Sequence, residues 1–439
     1  MKLVKTALGC AALVCVAGCA GNSEGLTKTL NAIGTAAAIA VEVTNPTPSP
    51  TSSVVVQKPV VTAPAITAPT VSAPVVQAPA VQAPAVSAPA LPAAVDTSAF
   101  ARMSTTAADA EEPTWKYGVL TFKKPATPAQ VAAAKEKLAG ETIQPANLRL
   151  SFENVDEATL AAAFLQFPNA GRVTIDKSNL ASVRSLALLR DVTRLELKNL
   201  KALDLTPVAG MAKLKTLSLT YSQIDDFTPL AGLAALTDLE CYGAEVKSFA
   251  PLAACPNLDR VYFYAAKSTP EGYASLGLLK QVKKFHGGLT KMTSVAWLRQ
   301  VPQAEEVKIF AEKIDDLSPI GSLPNLTYLR LWDMNGGALS TAVGNLAFLA
   351  NCKKLEVLEL PGSSFTNTDA LAGLTALKSV DLSGGRNAQP VSIAFATKLP
   401  GLARLNLSDA NVIDGALVAS LPKTVRVTTN DKTQGVPKN

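Results

Sequence analysis

The chain of 439 residues is long enough for more than one domain, and its 48% hydrophobic content suits a folded protein, although aromatics supply only 5%. The formal charge of +6 comes without a long Lys/Arg run, so nucleic acid is not an expected partner. There is a single histidine, His286, which removes most histidine-based metal and triad chemistry.

The chain opens on "MKLVKTALGCAALVCVAGC". Lys2 and Lys5 form a basic head, and the apolar run behind them is too short for a spanning helix. The run ends in Val16-Ala17-Gly18-Cys19, which resembles the lipobox of bacterial lipoproteins. That resemblance implies that residues 1–18 are a signal peptide cut after Gly18, that Cys19 is diacylated on sulfur and that the new N-terminus is acylated. Several acyl chains, palmitate among them, anchor a protein to a membrane stably where one chain is marginal. Ala20 stands where Gram-negative lipoproteins retained at the inner membrane tend to carry Asp, so the resemblance implies a cell-envelope location at the outer membrane. Cys10 and Cys15 leave with the signal, and residues 19–45 hold the lipidated N-terminus and a short helix around Leu26–Ala40.

Residues 46–98 are nearly uncharged, with Pro59, Pro64, Pro69, Pro74, Pro79, Pro84 and Pro89 five apart in an A-P-x-[VI]-x repeat. A proline every fifth residue forbids a helix and removes donors from a strand. With no aromatic or Leu cluster to build a core, this segment reads as a disordered, partly polyproline-like tether. At ~3.1 Å per residue it reaches at most ~160 Å. Residues 99–147 read as a linker and N-terminal cap, with a helix from Pro128 to Ala139.

Residues 148–428 repeat. The clearest lines are "LKTLSLTYSQIDDFTPLAGL", "LTDLECYGAEVKSFAPLAAC" and "AEEVKIFAEKIDDLSPIGSL". L-x-L pairs start at Leu148, Val173, Leu195, Leu217, Leu239, Val261, Phe285, Val307, Leu329, Leu358, Val380, Leu405 and Val425, most of them 22 residues apart. A sustained period of 22 predicts a leucine-rich repeat solenoid of about thirteen units. In this α/β repeat fold a curved parallel β-sheet lines the concave side, with short turns and a few helices on the convex side. The half-repeats "QIDDFTPLAGL" and "KIDDLSPIGSL" resemble the internalin class of bacterial leucine-rich repeats. Where that class carries a ladder asparagine, this chain has Ser178, Leu200, Ser222, Ala244 or Ala266, so other bonds must serve the turn. Asp204, Asp226 and Asp316 are placed to cap the return turns, and the Asp225-Asp226 and Asp315-Asp316 pairs lack the D-x-D-x-D spacing of a calcium loop. Residues 156–167 and 338–352 read as convex-side helices, and residues 429–439 as a flexible tail. Cys241 faces inward from its strand, Cys255 and Cys352 occupy equivalent return-arm positions, and all three read as small buried hydrophobes.

No G-x-S-x-G, H-E-x-x-H, Walker loop or C-x-x-C is present, so neither an enzyme, a metal nor a cofactor is expected. Strand alternation instead turns the residues before, between and after each L-x-L pair outward. Six rings fall on those positions: Tyr242, Tyr262, Tyr264, Phe310, Tyr328 and Trp332. His286 shares the face, and Arg260, Lys284, Lys308 and Arg330 interleave. All lie on the fifth to ninth repeats. Tyr, Trp and Arg are the types favoured at binding hot spots. The expected function is binding of a protein or peptide by a lipid-anchored envelope protein. A glycan or peptidoglycan ligand is the alternative within binding. A passive scaffold, whose rings only stack along the sheet, is the alternative outside it.

Overall fold

The computed structural model describes residues 97–437 apart from 104–109, 142, 179, 181–182, 202, 225, 265, 289–291, 312–313, 315, 334–344, 363–366 and 385–389. The expectations for residues 1–96, Cys19 and nearly all of the tether included, lie outside the described residues, while Thr97 and Ser98 at the end of the expected tether begin a short helix instead.

The chain is a leucine-rich repeat solenoid. Fifteen strands form one sheet in strict chain order. They are β1 (Thr114–Lys116), β2 (Val119–Phe122), β3 (Arg149–Glu153), β4 (Arg172–Asp176), β5 (Arg194–Lys198), β6 (Thr216–Thr220), β7 (Asp238–Glu240), β8 (Arg260–Tyr264), β9 (Lys284–Gly288), β10 (Glu306–Ala311), β11 (Tyr328–Asp333), β12 (Val357–Glu359), β13 (Ser379–Asp381), β14 (Arg404–Asn406) and β15 (Arg426–Thr428). Among the described strands only β1 and β2 pair antiparallel, across a Tyr117-Gly118 turn with φ of 52° and 78°. Both values lie in the left-handed region that a two-residue hairpin of this hand demands. From β2 onward every neighbour is parallel, so each strand needs a return segment, which the repeat provides. The first inward residues of successive strands register directly, Leu195 on Leu217 on Leu239 on Val261, and are fully buried.

The sheet exceeds the expected thirteen strands because the N-terminal cap adds two. Helix α2 (Pro128–Leu138; α1 is the short Thr97–Ala101) starts in a capping box between Thr127 and Gln130. It buries Val131, Ala134 and Leu138. Helix α3 (Glu157–Gln166) is capped by Asp156, and its buried Thr159 hydroxyl takes the Ala126 N–H at 2.9 Å. The expected helix over 338–352 is instead a 3₁₀ turn at Leu346–Asn351, capped by Asn345, with 338–344 outside the described residues.

Register corrects the sequence reading at both ends. Leu150 faces Val173 and Val427 faces Leu405, so the terminal pairs start at Leu150 and Val427 rather than Leu148 and Val425. A slip of two keeps every side chain on its face, so alternation alone does not detect it. The tail also differs from expectation. Thr433 Oγ1 donates to the Leu407 carbonyl at 3.0 Å, and the Gln434 N–H donates to Ala410 at 2.9 Å. Residues 430–434 thus continue the return arm, while 438–439 lie outside the described residues.

The missing asparagine ladder is replaced in two ways. Four residues past the first inward position, Asn154, Lys177, Asn199, Tyr221, Gly243, Gly362 and Asp409 all adopt positive φ. The N–H of Lys177, Asn199, Tyr221 or Gly243 then donates to the next strand's carbonyl. One residue on, Ser178 Oγ accepts the Val155 N–H and Ser222 Oγ accepts the Leu200 N–H, both at 3.2 Å. Asp204, Asp226 and Asp316 accept the N–H two residues ahead at 2.7–2.8 Å, as expected for caps. Among the described residues, Cys241, Cys255 and Cys352 are the cysteines, and all three are free and buried. Burial pushes the thiols of Cys255 and Cys352 up to about 11, which leaves them unreactive.

Candidate functional site

The site begins with what lies beneath it. In β8, Val261 and Phe263 point inward and are fully buried, while Arg260, Tyr262 and Tyr264 are half-exposed on the other face. Phe263 is larger than the Leu usual there, and Gly287 on β9 makes room for it. A Cβ at Gly287 would lie 2.3 Å from the Phe263 ring. Phe249, Trp297 and Phe285 continue this inward aromatic run, with centroids 5.0–6.3 Å apart.

The concave rings divide into two groups. Tyr264 and Phe310, two strands apart, meet edge-on at 4.9 Å. They do so because Gly288 intervenes with no side chain. Gly288 holds φ +107°, and a Cβ there would lie 2.0 Å from the Phe310 carbonyl oxygen. Trp332 extends the row at 5.3 Å from Phe310. Below it, Tyr262 packs on His286 at 4.7 Å and on Tyr264 at 6.1 Å. Burial drives the Tyr264 phenol far above its usual range.

The cations are fixed rather than free. Arg260 pairs with Asp238 at 3.3 Å and stacks over Tyr262. Lys308 pairs with Glu306 at 2.5 Å and stands over Tyr328. Arg330 pairs with Glu359 at 3.2 Å and lies 5.0 Å from the Trp332 ring centroid. Lys284 reaches back to Asp259 at 2.7 Å. These pairs leave a surface of near-zero local charge, shaped and rigid.

One sequence expectation is corrected here. His286 points to the concave face but is only 3% exposed, covered by Tyr262 and its neighbours. It is a supporting residue, not a contact residue. Its Nε2 lies 2.9 Å from Glu306 Oε1 without making a hydrogen bond, so the two form an ion pair only once the imidazole is protonated. Burial lowers the imidazole below its usual value despite that carboxylate, leaving it neutral. His286, together with Lys308, holds the Glu306 carboxyl down at about 2.

The rings that present most area are therefore at the two flanks. Tyr242 is 38% exposed and Trp332 41%. They stand four strand steps apart, ~19 Å at ~4.8 Å per step. Sequence reasoning missed Tyr221, 50% exposed and 5.3 Å edge-on to Tyr242. It lies one residue beyond the outward positions, at the left-handed turn, and its ring covers Gly243. The signal was the glycine one repeat later, which leaves space for a ring. Among the described residues no group of three or more His, Cys, Asp or Glu is placed to hold a metal.

No protein-family model matches the chain, and no curated protein matches it. Among solved structures it is similar to an internalin of Listeria monocytogenes, at TM-score 0.48 and 18% identity over 69% of this chain and 94% of that one. A second Listeria monocytogenes internalin, of the C2 type, matches at TM-score 0.37 and 24% identity over 46% and 92%. A leucine-rich repeat protein of Leptospira interrogans matches at TM-score 0.36 and 13% identity over 66% and 86%. These likenesses are to leucine-rich repeat proteins, the architecture that the register and the repeat have already given.

Proposed function

We propose that this protein binds a protein or peptide segment on its concave face, across the rings of β7 to β11. The observation that carries the reading is the pre-organised row Tyr264–Phe310–Trp332, flanked by exposed Tyr242 and Tyr221 and locked by paired cations. Rigid aromatic area loses little conformational entropy on binding, and fixed ion pairs around it keep charges satisfied. A ring ladder serving only the sheet would bury its members. Here the two end rings are among the few large hydrophobics left exposed. We further propose that the domain is held on the tether of residues 46–98, anchored in the cell envelope through acyl chains on Cys19, with the outer membrane as the location.

The test replaces Trp332 and Tyr242 by Ser, both outside the core, and compares the proteins captured from envelope extract. At least one partner is expected to fall by tenfold or more while the melting temperature moves little. An unchanged set of partners from a folded variant would remove the reading and leave the scaffold. A peptidoglycan sacculus that binds the native protein and not the variant would place the ligand among glycans instead. Palmitate labelling with and without Cys19→Ala tests the anchor by itself.

A further inference from the structure

A second feature of the concave face lies outside the ring rows. On β3 and β4, Arg149 and Arg172 stand directly opposite each other, and Arg194 on β5 continues the column. Arg194 is neutralised by Glu196 at 2.8 Å and faces Glu240 at 3.8 Å. Arg149 and Arg172 are exposed, and no ion pair or hydrogen bond joins either to another described residue. This sets them apart from Lys198, Arg260, Lys284, Lys308 and Arg330, each of which has a carboxylate. Like charges directly opposite on neighbouring strands repel and destabilise a sheet. Two unneutralised guanidinium groups in register are therefore a standing cost in the free protein, and an anion between them would remove it.

The surroundings have the form of a binding cleft. Arg149, Arg172 and Arg194 line a cleft of about 230 Å³ at the N-terminal end of the face. Val119 of the cap, paired with Arg149, also lines it, and Ser151 and Thr174, opposite each other two residues along the same strands, line it beside the arginines. Their hydroxyls make no hydrogen bond to another described residue and remain free to donate. Planar guanidinium forks paired with two hydroxyls match the geometry of a carboxylate. The Glu196 carboxylate on the rim and Glu153 and Asp176 on the same strands oppose a dense polyanion.

We propose that this cleft binds a carboxylate carried by an acidic protein segment. The segment's side chain or C-terminal carboxylate sits between Arg149 and Arg172, with Ser151 and Thr174 donating to it. The site is separate from the ring rows, so their reading can fail and leave this one standing.

Calorimetric titration of the full-length protein in detergent with the single-carboxylate probe acetyl-Gly-Asp-Gly-amide tests it. One-to-one binding is expected, weakened fivefold or more by Arg149→Gln or Arg172→Gln and more mildly by Ser151→Ala or Thr174→Val. Arg404→Gln should leave the affinity unchanged, because Arg404 and Arg426 form a like pair at the far end of the face. The free Arg172→Gln protein should melt no lower than the native one, since repulsion is relieved. A purely structural arginine would lower both. Absence of saturable binding overturns the proposal, as does equal weakening by Arg404→Gln, which would mean general charge attraction. Tighter binding of inorganic phosphate than of the peptide overturns it in favour of a phosphate site.

Discussion

At the scale of single residues, His286 shows how burial sets chemistry. Its proton is held more weakly in the folded protein than in the unfolded chain, because burial disfavours the imidazolium. The unfolded state therefore binds more protons below the ordinary imidazole value of ~6.5. Stability is full above that pH and declines as pH falls below it. Glu306 acts in the same direction but lower, with its contribution present above the ordinary carboxylate range and lost as pH falls toward about 2. Glu157 works the other way, since burial raises its carboxyl and its contribution grows as pH falls, so the part of the slope lost on removing the single histidine is what isolates His286. Urea midpoints should fall over that interval in the native protein, and the fall should shrink in His286→Asn. The same change between pH 7 and 5 in the native protein and in His286→Asn would contradict the assignment. The sequence put His286 on the correct face; its burial came from Tyr262 across the strand pair, which no local pattern encodes.

Between neighbouring elements, the controlling fit is Phe263 against Gly287. Phe263 fills the inward space of its own strand and of the next, which Gly287 leaves empty. Gly287→Ala puts a methyl 2.3 Å from the ring and should cost ~1–3 kcal/mol by overpacking. The same substitution in a Phe263→Leu background should cost clearly less, because the clashing ring is gone. Equal costs in the two backgrounds, read from denaturation midpoints, would show that the strain lies in the backbone. Gly288→Ala makes a useful contrast. Its φ of +107° and the Phe310 carbonyl at 2.0 Å are backbone constraints, so no side-chain change should rescue it. On the concave face the same glycine lets Tyr264 and Phe310 touch, so it shapes the ring row as well as the strand. The six outward rings and the four interleaved cations were legible from alternation. Which rings face solvent was not, since that depends on contacts two strands apart.

For the whole molecule, stability is close to a sum over neighbouring repeats, and the ends carry a disproportionate share. At the N-terminus a hairpin and a capped helix cover the first repeat. At the C-terminus residues 430–434 do so, with Gly435 at φ +75° where a Cβ would lie 1.7 Å from the Val412 carbonyl oxygen. Deleting residues 429–439 removes the Thr433 and Gln434 bonds to Leu407 and Ala410. The truncated protein should melt lower. Its first amides to lose hydrogen-exchange protection should be those of β14 and β15, with the central strands unchanged. Uniform loss across the sheet would instead mark the solenoid as a single cooperative unit.

The sequence by itself determined the repeat, its period of 22, the parallel sheet and the face on which the rings lie. It could do so because a strand's side chains alternate and each unit repeats the same inward pair. The tertiary structure alone decided the register at the two ends, the docking of the tail, the burial of His286 and the addition of Tyr221 to the exposed rings. It also revealed Arg149 and Arg172 side by side with no ion pair to another described residue. Each of these depends on which residue of one repeat lies beside which residue of the next, and alternation is blind to a slip of two.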